Sequence, residues 1–247
     1  MANVRIGTVD IPERVERERY FSQLTYLELS ALFTSPLKQT AMAGWAEIAP
    51  AGAIGLVAPF VLTHRQVPKS NKLWPNDGRT GDYRDSPLGR AAWASVKEAA
   101  ATMKAGCIVF KSPALFAPSA ANRDVLRAFF TDVVGPEELG EDVQRVWVPD
   151  GLWEPRTAAA FAAELGVTVA VDPLVVEPGE STDLYAELDV ESLYLRINGL
   201  GRSSPLGTEA LDDIAALIES YEDTKITVAF DSPARWADAK NLSRLLA

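Results

Sequence analysis

Cysteine and histidine are almost absent from this chain, which narrows the chemistry that it can perform. The single cysteine, Cys107, excludes an intrachain disulfide, and its place in the apolar run 107–110 predicts a buried, inert thiol. With His64 as the only histidine, the residues argue against a zinc site. A carboxylate-bound magnesium or manganese needs only oxygen ligands and stays open. We predict no metal site and no cofactor.

Long apolar runs are also missing. None approaches the roughly 20 residues that span a bilayer, and Ile6 is soon followed by Asp10, Glu13 and Arg14, so the first residues lack an apolar signal core. We therefore expect a cytoplasmic protein with no membrane partner. The formal net charge of −10 repels nucleic acid and makes it an unlikely partner. The sequence does not predict the oligomeric state.

No Gly/Ser linker or long charge run divides the 247 residues, which predicts one domain over residues 1–247. Short, continuous apolar segments alternate with helical segments, as in a parallel α/β fold. Eight such units in this length favour a single (β/α)8 TIM-barrel-like domain, which typically has about 250 residues. Gly199-Leu200-Gly201 is an incomplete dinucleotide-binding fingerprint and only a weak signal.

The regular pattern breaks after the third predicted strand, Ile54–Leu62, which ends at Thr63-His64. From Arg65 to Pro87, proline, glycine and asparagine interrupt any periodicity, which is typical of a lid, a binding loop or disorder. The segment 64–90 holds six Lys or Arg and three Asp, so it is positive in a negative protein.

Polar residues collect where the predicted strands end, and the clearest case is Glu191–Gly201 around the seventh strand. In (β/α)8 barrels the C-terminal ends of the strands carry the active site. We predict Glu28 and His64 as catalytic residues. The predicted ligand-binding residues are Lys111, Asp150, Trp153, Asp172, Arg196, Asn198 and Asp231.

Most of these residues also have a structural interpretation. Arg196 could pair with Glu28 or Asp172 inside the barrel, since a buried carboxylate needs a partner. Asp172 and Asp231, both beside prolines, could cap the turns that follow them. Lys111 could project to solvent, Trp153 could be a packing residue and His64 a satisfied structural group.

Six segments follow one another in an order that a known family shares. They are Tyr26–Pro36 with Trp45 behind it, Leu62-Thr63-His64, Ile108–Phe116, Trp153, Tyr194–Gly199 and Phe230–Ala239. Together they resemble the DUF72 (YecE-like) family of uncharacterised TIM-barrel-like proteins, over nearly the whole chain. The resemblance implies the barrel and a polar rim at its mouth, but no substrate, because the family has no settled reaction.

The chain departs from the family pattern at several polar positions. The family's Glu and Arg on strand five fall near Trp147 and Pro149, and its histidine on strand seven is Asn198. Its asparagine after strand eight is Asp231, its glutamine on strand four is Lys111, and no lysine is evident on strand three. These departures imply either a different ligand or a lost activity.

Three functional hypotheses follow. The first is a protein that binds a small polar, anionic or phosphorylated ligand at the barrel mouth. In an enzyme of this kind Glu28 and His64 would transfer protons, Arg196 and Lys111 would hold the anion, and the loop 65–90 would act as a lid. The second is a catalytically degenerate barrel that serves as a binding or interaction protein. The third, metal-dependent phosphodiesterase-like activity, is disfavoured by the single histidine.

Overall fold

The eight strands form a closed parallel barrel in the order β1 to β8, as the alternating sequence pattern predicts. The computed structural model describes residues 3–13, 15–71, 73–140, 142–150, 152–175, 183–186, 188–198, 203–221 and 223–247. The strands are β1 (Asn3–Val9), β2 (Tyr26–Leu29), β3 (Ile54–Val57), β4 (Cys107–Lys111), β5 (Gln144–Val148), β6 (Thr168–Val171), β7 (Ser192–Ile197) and β8 (Lys225–Phe230). The predicted (β/α)8 fold class is confirmed.

Helices lie between the strands. The α-helices are α1 (Arg17–Phe21), α2 (Ala31–Thr34), α3 (Gln39–Ile48), α4 (Phe60–Thr63), α5 (Pro87–Met103), α6 (Ala120–Ala128), α7 (Pro155–Glu164), α8 (Asp183–Ala186), α9 (Thr208–Glu219) and α10 (Arg235–Leu245). A π-helical turn at Phe129–Val133 and a 3₁₀ turn at Pro136–Glu138 follow α6. Every residue of β2 and β3 is buried, as expected for parallel strands covered on both faces.

The chain packs as two compact units. The first contains Met1–Glu28, Glu154–Ala163 and Thr168–Ala247, and the second contains Leu29–Trp153 and Glu164–Val167. The prediction of one domain over residues 1–247 stays a prediction. Gly199-Leu200-Gly201 lies outside the described residues.

In the first unit, β1 pairs with β2 and β8, and β7 pairs with β6 and β8. The register places Glu28 opposite Val9, at the C-terminal end of β1. Gly7 allows a close approach at this pair, because a Cβ there would lie 1.7 Å from the Tyr26 carbonyl oxygen. The buried hydroxyl of Tyr20 donates to that carbonyl at 2.7 Å and accepts from the Thr8 N–H at 2.8 Å.

The end of the third predicted strand is wrong. β3 stops at Val57, and residues 60–63 form α4, with Pro59 at its N-cap. The last ladder bond on this side is donated by Ala58 N–H to the Val109 carbonyl at 2.9 Å. Proline has no N–H to continue a ladder, so an apolar run that suits a strand becomes a helical turn instead. His64 therefore follows a helix and does not close a strand.

The first helix is short and covers only Arg17–Phe21. Helix α6 is followed directly by the π-helical turn. Arg145, near the start of β5, donates hydrogen bonds to carbonyl groups at that turn. Its Nη1 donates to the carbonyls of Phe130 and Val134 at 2.8 and 2.9 Å.

The long segment after α4 has no regular element among its described residues, as predicted, but buried aromatic rings fix it. Trp74 donates from Nε1 to the Leu32 carbonyl at 2.8 Å, and the Tyr83 hydroxyl lies 2.9 Å from Ser112 Oγ. Gly81, Asp82 and Tyr83 all have positive φ, at 83°, 51° and 58°. Left-handed backbone is costly for residues other than glycine, so these contacts hold a strained turn beside His64.

We expect Gly81→Ala to lower the free energy of unfolding much more than Gly78→Ala. Both glycines have positive φ, 83° and 77°, so both alanines bear the left-handed cost of about 1–2 kcal/mol. A Cβ at Gly81 would also lie 2.2 Å from the His64 carbonyl oxygen, whereas nothing lies within 4 Å at Gly78. Urea unfolding of both variants measures the difference. Equal losses would contradict the close approach.

Candidate functional site

A buried ion pair joins the C-terminal ends of β2 and β7 in the first unit. Glu28 is 0% exposed, and its Oε1 accepts from Arg196 Nε at 3.1 Å and from Nη2 at 3.0 Å. The Arg196 side chain is 11% exposed. A carboxylate in the interior is very costly without a cationic partner, and this two-point contact supplies one.

Two tyrosines extend this pair into the core. The Tyr194 hydroxyl donates to Glu28 Oε2 at 2.6 Å, and the Tyr26 hydroxyl lies 2.9 Å from that of Tyr194. Both phenol rings are buried. The sequence did not predict these contacts, because a strand pattern does not reveal a polar partner on another strand.

Asp231, at the end of β8, lies on the other side of Arg196. Its Oδ2 is 2.7 Å from Arg196 Nη1, and its side chain is 34% exposed. Burial by itself would lower the pKa of Arg196, but the Glu28 and Asp231 carboxylates outweigh it and raise that pKa. Arg196 therefore pairs with Glu28, one of its two predicted partners, and with Asp231.

The Asp172 side chain contacts the backbone of Asn198. Asp172 Oδ2 accepts from the Asn198 N–H at 2.8 Å, and Oδ1 accepts from the Leu174 N–H at 3.1 Å. The second contact is the turn cap that the proline after Asp172 suggested. Asn198 is exposed.

A small cavity of about 10 Å³ lies behind Asn198 and Ser232, with Asp238 in its wall. This is about the space that one water molecule requires. Asp238 is buried and accepts from the Leu206 N–H at 2.9 Å, so it fixes the chain that precedes α9.

In the second unit, His64 is a half-buried residue whose ring is held from two sides. Its Nδ1 lies 2.8 Å from Thr63 Oγ1, and Phe33 contacts the ring edge-to-face at 5.1 Å. Burial, and then the Lys111 charge, lower the pKa of His64 to about 4, against the weaker opposing effect of Asp150 and Asp82. His64 is therefore neutral at pH 7.

A cavity of about 480 Å³ opens beside His64, beyond the C-terminal ends of β3 and β4. This lies within the roughly 300–1,000 Å³ range of small-molecule sites. Its polar wall includes Arg65, Asp82 and Arg84, and its apolar wall is formed by residues 113–116 and Val125. Arg84 Nη2 lies 3.8 Å from Asp82 Oδ2, which is a loose ion pair.

The other predicted residues of this unit, Lys111, Asp150 and Trp153, do not line the cavity. Lys111 ends β4 opposite Val148 and influences His64 through its charge, as does the exposed Asp150. Trp153 is buried and donates from Nε1 to the Phe116 carbonyl at 2.9 Å, behind the apolar wall. This contact matches the packing interpretation of Trp153. Its ligand-binding role stays a prediction.

The structure therefore places the predicted residues in two groups, one in each unit. In the first, Arg196 contacts both Glu28 and Asp231, and in the second, His64 lies at a cavity. Arg65 and Arg84 line that cavity but were not predicted individually. The excess of Lys and Arg in 64–90 was the signal that could have found them. The catalytic and ligand-binding roles stay predictions.

The class of protein that this fold defines is the parallel (β/α)8 barrel, and solved structures of that class match it. A DUF72 family protein from Enterococcus faecalis V583 matches with a TM-score of 0.67 at 13% identity, over 98% of this chain and 94% of that one. A DUF72 family protein from Thermotoga maritima MSB8 matches with a TM-score of 0.62 at 13% identity, over 98% of both chains. The resemblance to DUF72 proteins is thus confirmed at the level of the fold.

A third match is the IolI protein, whose crystal structure contains a bound zinc atom. Its TM-score is 0.51 at 13% identity, over 90% of this chain and 85% of that one. No protein-family model and no curated protein sequence matches the chain. At such identities the matches establish the fold and leave the activity to the residues of this chain.

Two further findings concern only the described part of the chain. It contains no group of three His, Cys, Asp or Glu side chains placed to hold a metal ion. It also contains no helix that is both long and apolar enough to cross a membrane.

We expect Glu28→Gln to be far more destabilising than Asp231→Asn. The first change removes the fully buried charge of the pair and leaves Arg196 with only the partly exposed Asp231 as a charged partner, and breaking a buried pair typically costs about 3–5 kcal/mol. The second removes a partner that is 34% exposed, and pairs near the surface contribute about 0–1 kcal/mol. Urea unfolding at pH 7 measures both free energies of unfolding. If Asp231→Asn lowered the free energy of unfolding as much as Glu28→Gln, the outer carboxylate would contribute as much stability as the buried one, which would contradict this prediction.

The depressed pKa of His64 should make stability depend on pH. Between pH 6.5 and about 4 the unfolded chain binds a proton on His64 that the folded chain does not, so the free energy of unfolding falls as the pH falls. The expected contribution is at most about 3 kcal/mol, because the ring is only half-buried and solvent screens part of the effect. Unfolding of the wild type and His64→Asn across pH 4–8 isolates it, because carboxylate titrations are common to both. A stability difference that is constant over this range would contradict the depressed pKa.

Proposed function

We propose that the protein binds a small polar or anionic ligand in the cavity beside His64, and that His64 transfers a proton there. The single observation that carries this proposal is the cavity of about 480 Å³ that places the only histidine of the chain beside Arg65 and Arg84. Sites for small molecules combine an apolar wall with a few converging polar groups. The walls described above have this composition.

The distribution of ion pairs supports an anionic ligand. In the loop, Arg79 contacts Asp77 at 2.8 Å and Arg90 contacts Asp85 at 2.7 Å, so these cations are already neutralised. Arg84 contacts Asp82 only at 3.8 Å. Arg65 forms no ion pair with any residue that the structure describes. The two arginines at the cavity are therefore available to a ligand.

The state of His64 supports a role as a proton acceptor. It is neutral at pH 7, and when Nδ1 donates its hydrogen to Thr63 Oγ1, Nε2 presents a lone pair. A bound anion nearby would stabilise the protonated ring and raise its pKa towards neutrality, where general acid–base catalysis works best.

The predicted residues of the first unit do not line the cavity beside His64, and we propose separate roles for them. Asp172, Arg196, Asn198 and Asp231 are proposed as ligand-binding residues of the first unit. Glu28, the other predicted catalytic residue, is fully buried with both carboxylate oxygens hydrogen-bonded. These contacts favour a role in positioning Arg196 over direct contact with a substrate.

Nuclear magnetic resonance of the imidazole tests the proposal, because one histidine gives one Hε1 signal. We expect a pKa of about 4 in the free protein. Inorganic phosphate should shift the signal saturably and raise this pKa by about one unit, as a nearby opposite charge does. Acetate and glycerol, as a second anion and a neutral polar molecule, identify which ligand class the cavity prefers.

Matched variants separate the cavity from general salt effects. Arg84→Gln should weaken the phosphate response at least about five-fold, since a coupling of about 1 kcal/mol has that effect. Arg79→Gln removes an arginine from the same loop that is paired with Asp77 and should leave the response unchanged. A signal that responds to none of the three probes, or an equal loss in both variants, would refute binding at this cavity.

A second candidate function is a catalytically degenerate barrel that binds a ligand or partner without chemistry. The observation in its favour is the closed, fully paired environment of Glu28. It predicts that His64→Asn keeps phosphate affinity and that no substrate is turned over. Metal-dependent phosphodiester chemistry is not part of the proposal, because the described residues supply no metal-binding group.

We also propose that the protein is a divergent DUF72-like barrel that acts in the cytoplasm. The sequence motifs and the similar fold support the first part. The single cysteine, which cannot form an intrachain disulfide, is consistent with the second.

A further inference from the structure

We infer that Arg196 provides a binding position for a small carboxylate, and that Asp231 of the same chain occupies this position as an internal competitor. The inference extends the ligand-binding role proposed for Arg196 to a ligand class and a mode of competition. It uses only contacts within the first unit, so it can hold or fail independently of the His64 cavity.

The inner side of Arg196 is fixed by groups that a ligand cannot reach. Glu28, 0% exposed, accepts from Nε and Nη2, and the Tyr194 hydroxyl holds the second carboxylate oxygen at 2.6 Å. The guanidinium plane is therefore set from the core, before any group binds on its outer side. Such preorganisation lowers the entropic cost of binding.

On the outer side of Arg196, the partner is Asp231, which is much more exposed to solvent than Glu28. Asp231 Oδ2 lies 2.7 Å from Arg196 Nη1, yet the Asp231 side chain is 34% exposed, against 11% for Arg196. The backbone of Asp231 is held independently, since its N–H donates to the Ile197 carbonyl at 2.7 Å. Its side chain can therefore leave Arg196 without breaking the end of β8.

The charges indicate that Asp231 is not needed to neutralise the arginine. Glu28 already balances the positive charge of Arg196, so the second carboxylate leaves this group of three with a net charge of −1. A buried cation needs one compensating partner. A second one, reached from solvent at hydrogen-bond distance, occupies the place where the carboxylate of a ligand would bind to a guanidinium.

The consequence for binding is competition within the chain. An attached group acts at an effective concentration that is typically millimolar or more. A free carboxylate must displace Asp231 from Arg196 before it can bind. The wild-type protein should therefore bind simple carboxylates weakly at this position, and removal of the Asp231 carboxylate should expose a site that is already formed.

Formate is the probe, because it is the smallest carboxylate and matches the group that Asp231→Ala removes. A ligand that binds the folded state raises the unfolding temperature in proportion to the logarithm of its concentration over Kd. We expect sodium formate to raise the unfolding temperature of Asp231→Ala with this logarithmic dependence, and the fitted Kd should be at least ten-fold lower than in the wild type. Sodium chloride at equal ionic strength should not reproduce this effect.

Two further variants serve as an alternative to Asp231→Ala and as a control. Asp231→Asn removes the charge with almost no change in shape, and should also respond to formate if Asp231→Ala does not fold. Asp212→Ala removes an exposed carboxylate from α9, outside the predicted site, and should gain no response. Equal formate effects in the wild type, Asp231→Ala and Asp212→Ala would overturn the inference, as would the lack of formate-specific stabilisation in both Asp231 variants.

Discussion

The contact between Glu28 and Arg196 positions the other polar groups around it in the first unit. A carboxylate that is 0% exposed needs a cation, and an arginine from β7 provides it with two N–H groups. The pair fixes where the ends of β2 and β7 lie with respect to each other, and Tyr194 and Asp231 take their positions from it. A polar contact in the interior thus organises the rim that faces solvent.

The two groups of polar residues differ in what they leave accessible. Around Arg196, the inner partner Glu28 is fully buried, and Asp231 on the outer side reaches solvent. Around His64, a cavity is open, the ring is neutral and two arginines are available. The first arrangement suits precise positioning and the second suits entry of a ligand. This difference explains why the proposed proton transfer rests on His64 rather than on Glu28.

The barrel tolerates extensive sequence change because its core requires mainly apolar residues of suitable size. Structures at 13% identity keep the same fold over almost the whole chain. The polar positions are less interchangeable, since each charge needs a particular partner. Asp231, where the resembled family has asparagine, illustrates this: one added carboxylate changes the charge of the group around Arg196 from neutral to negative.

The sequence by itself determined the eight strands, their parallel order and the strand ends where polar residues collect, because short apolar runs and their spacing are local properties. It also left two partners open for Arg196, of which the fold chose Glu28 and added Asp231. Only the tertiary structure decided that Tyr194 bonds to Glu28, and that Arg65 and Arg84 line a cavity beside His64. These outcomes depend on contacts between residues far apart in the chain, and no local pattern encodes which side chains meet.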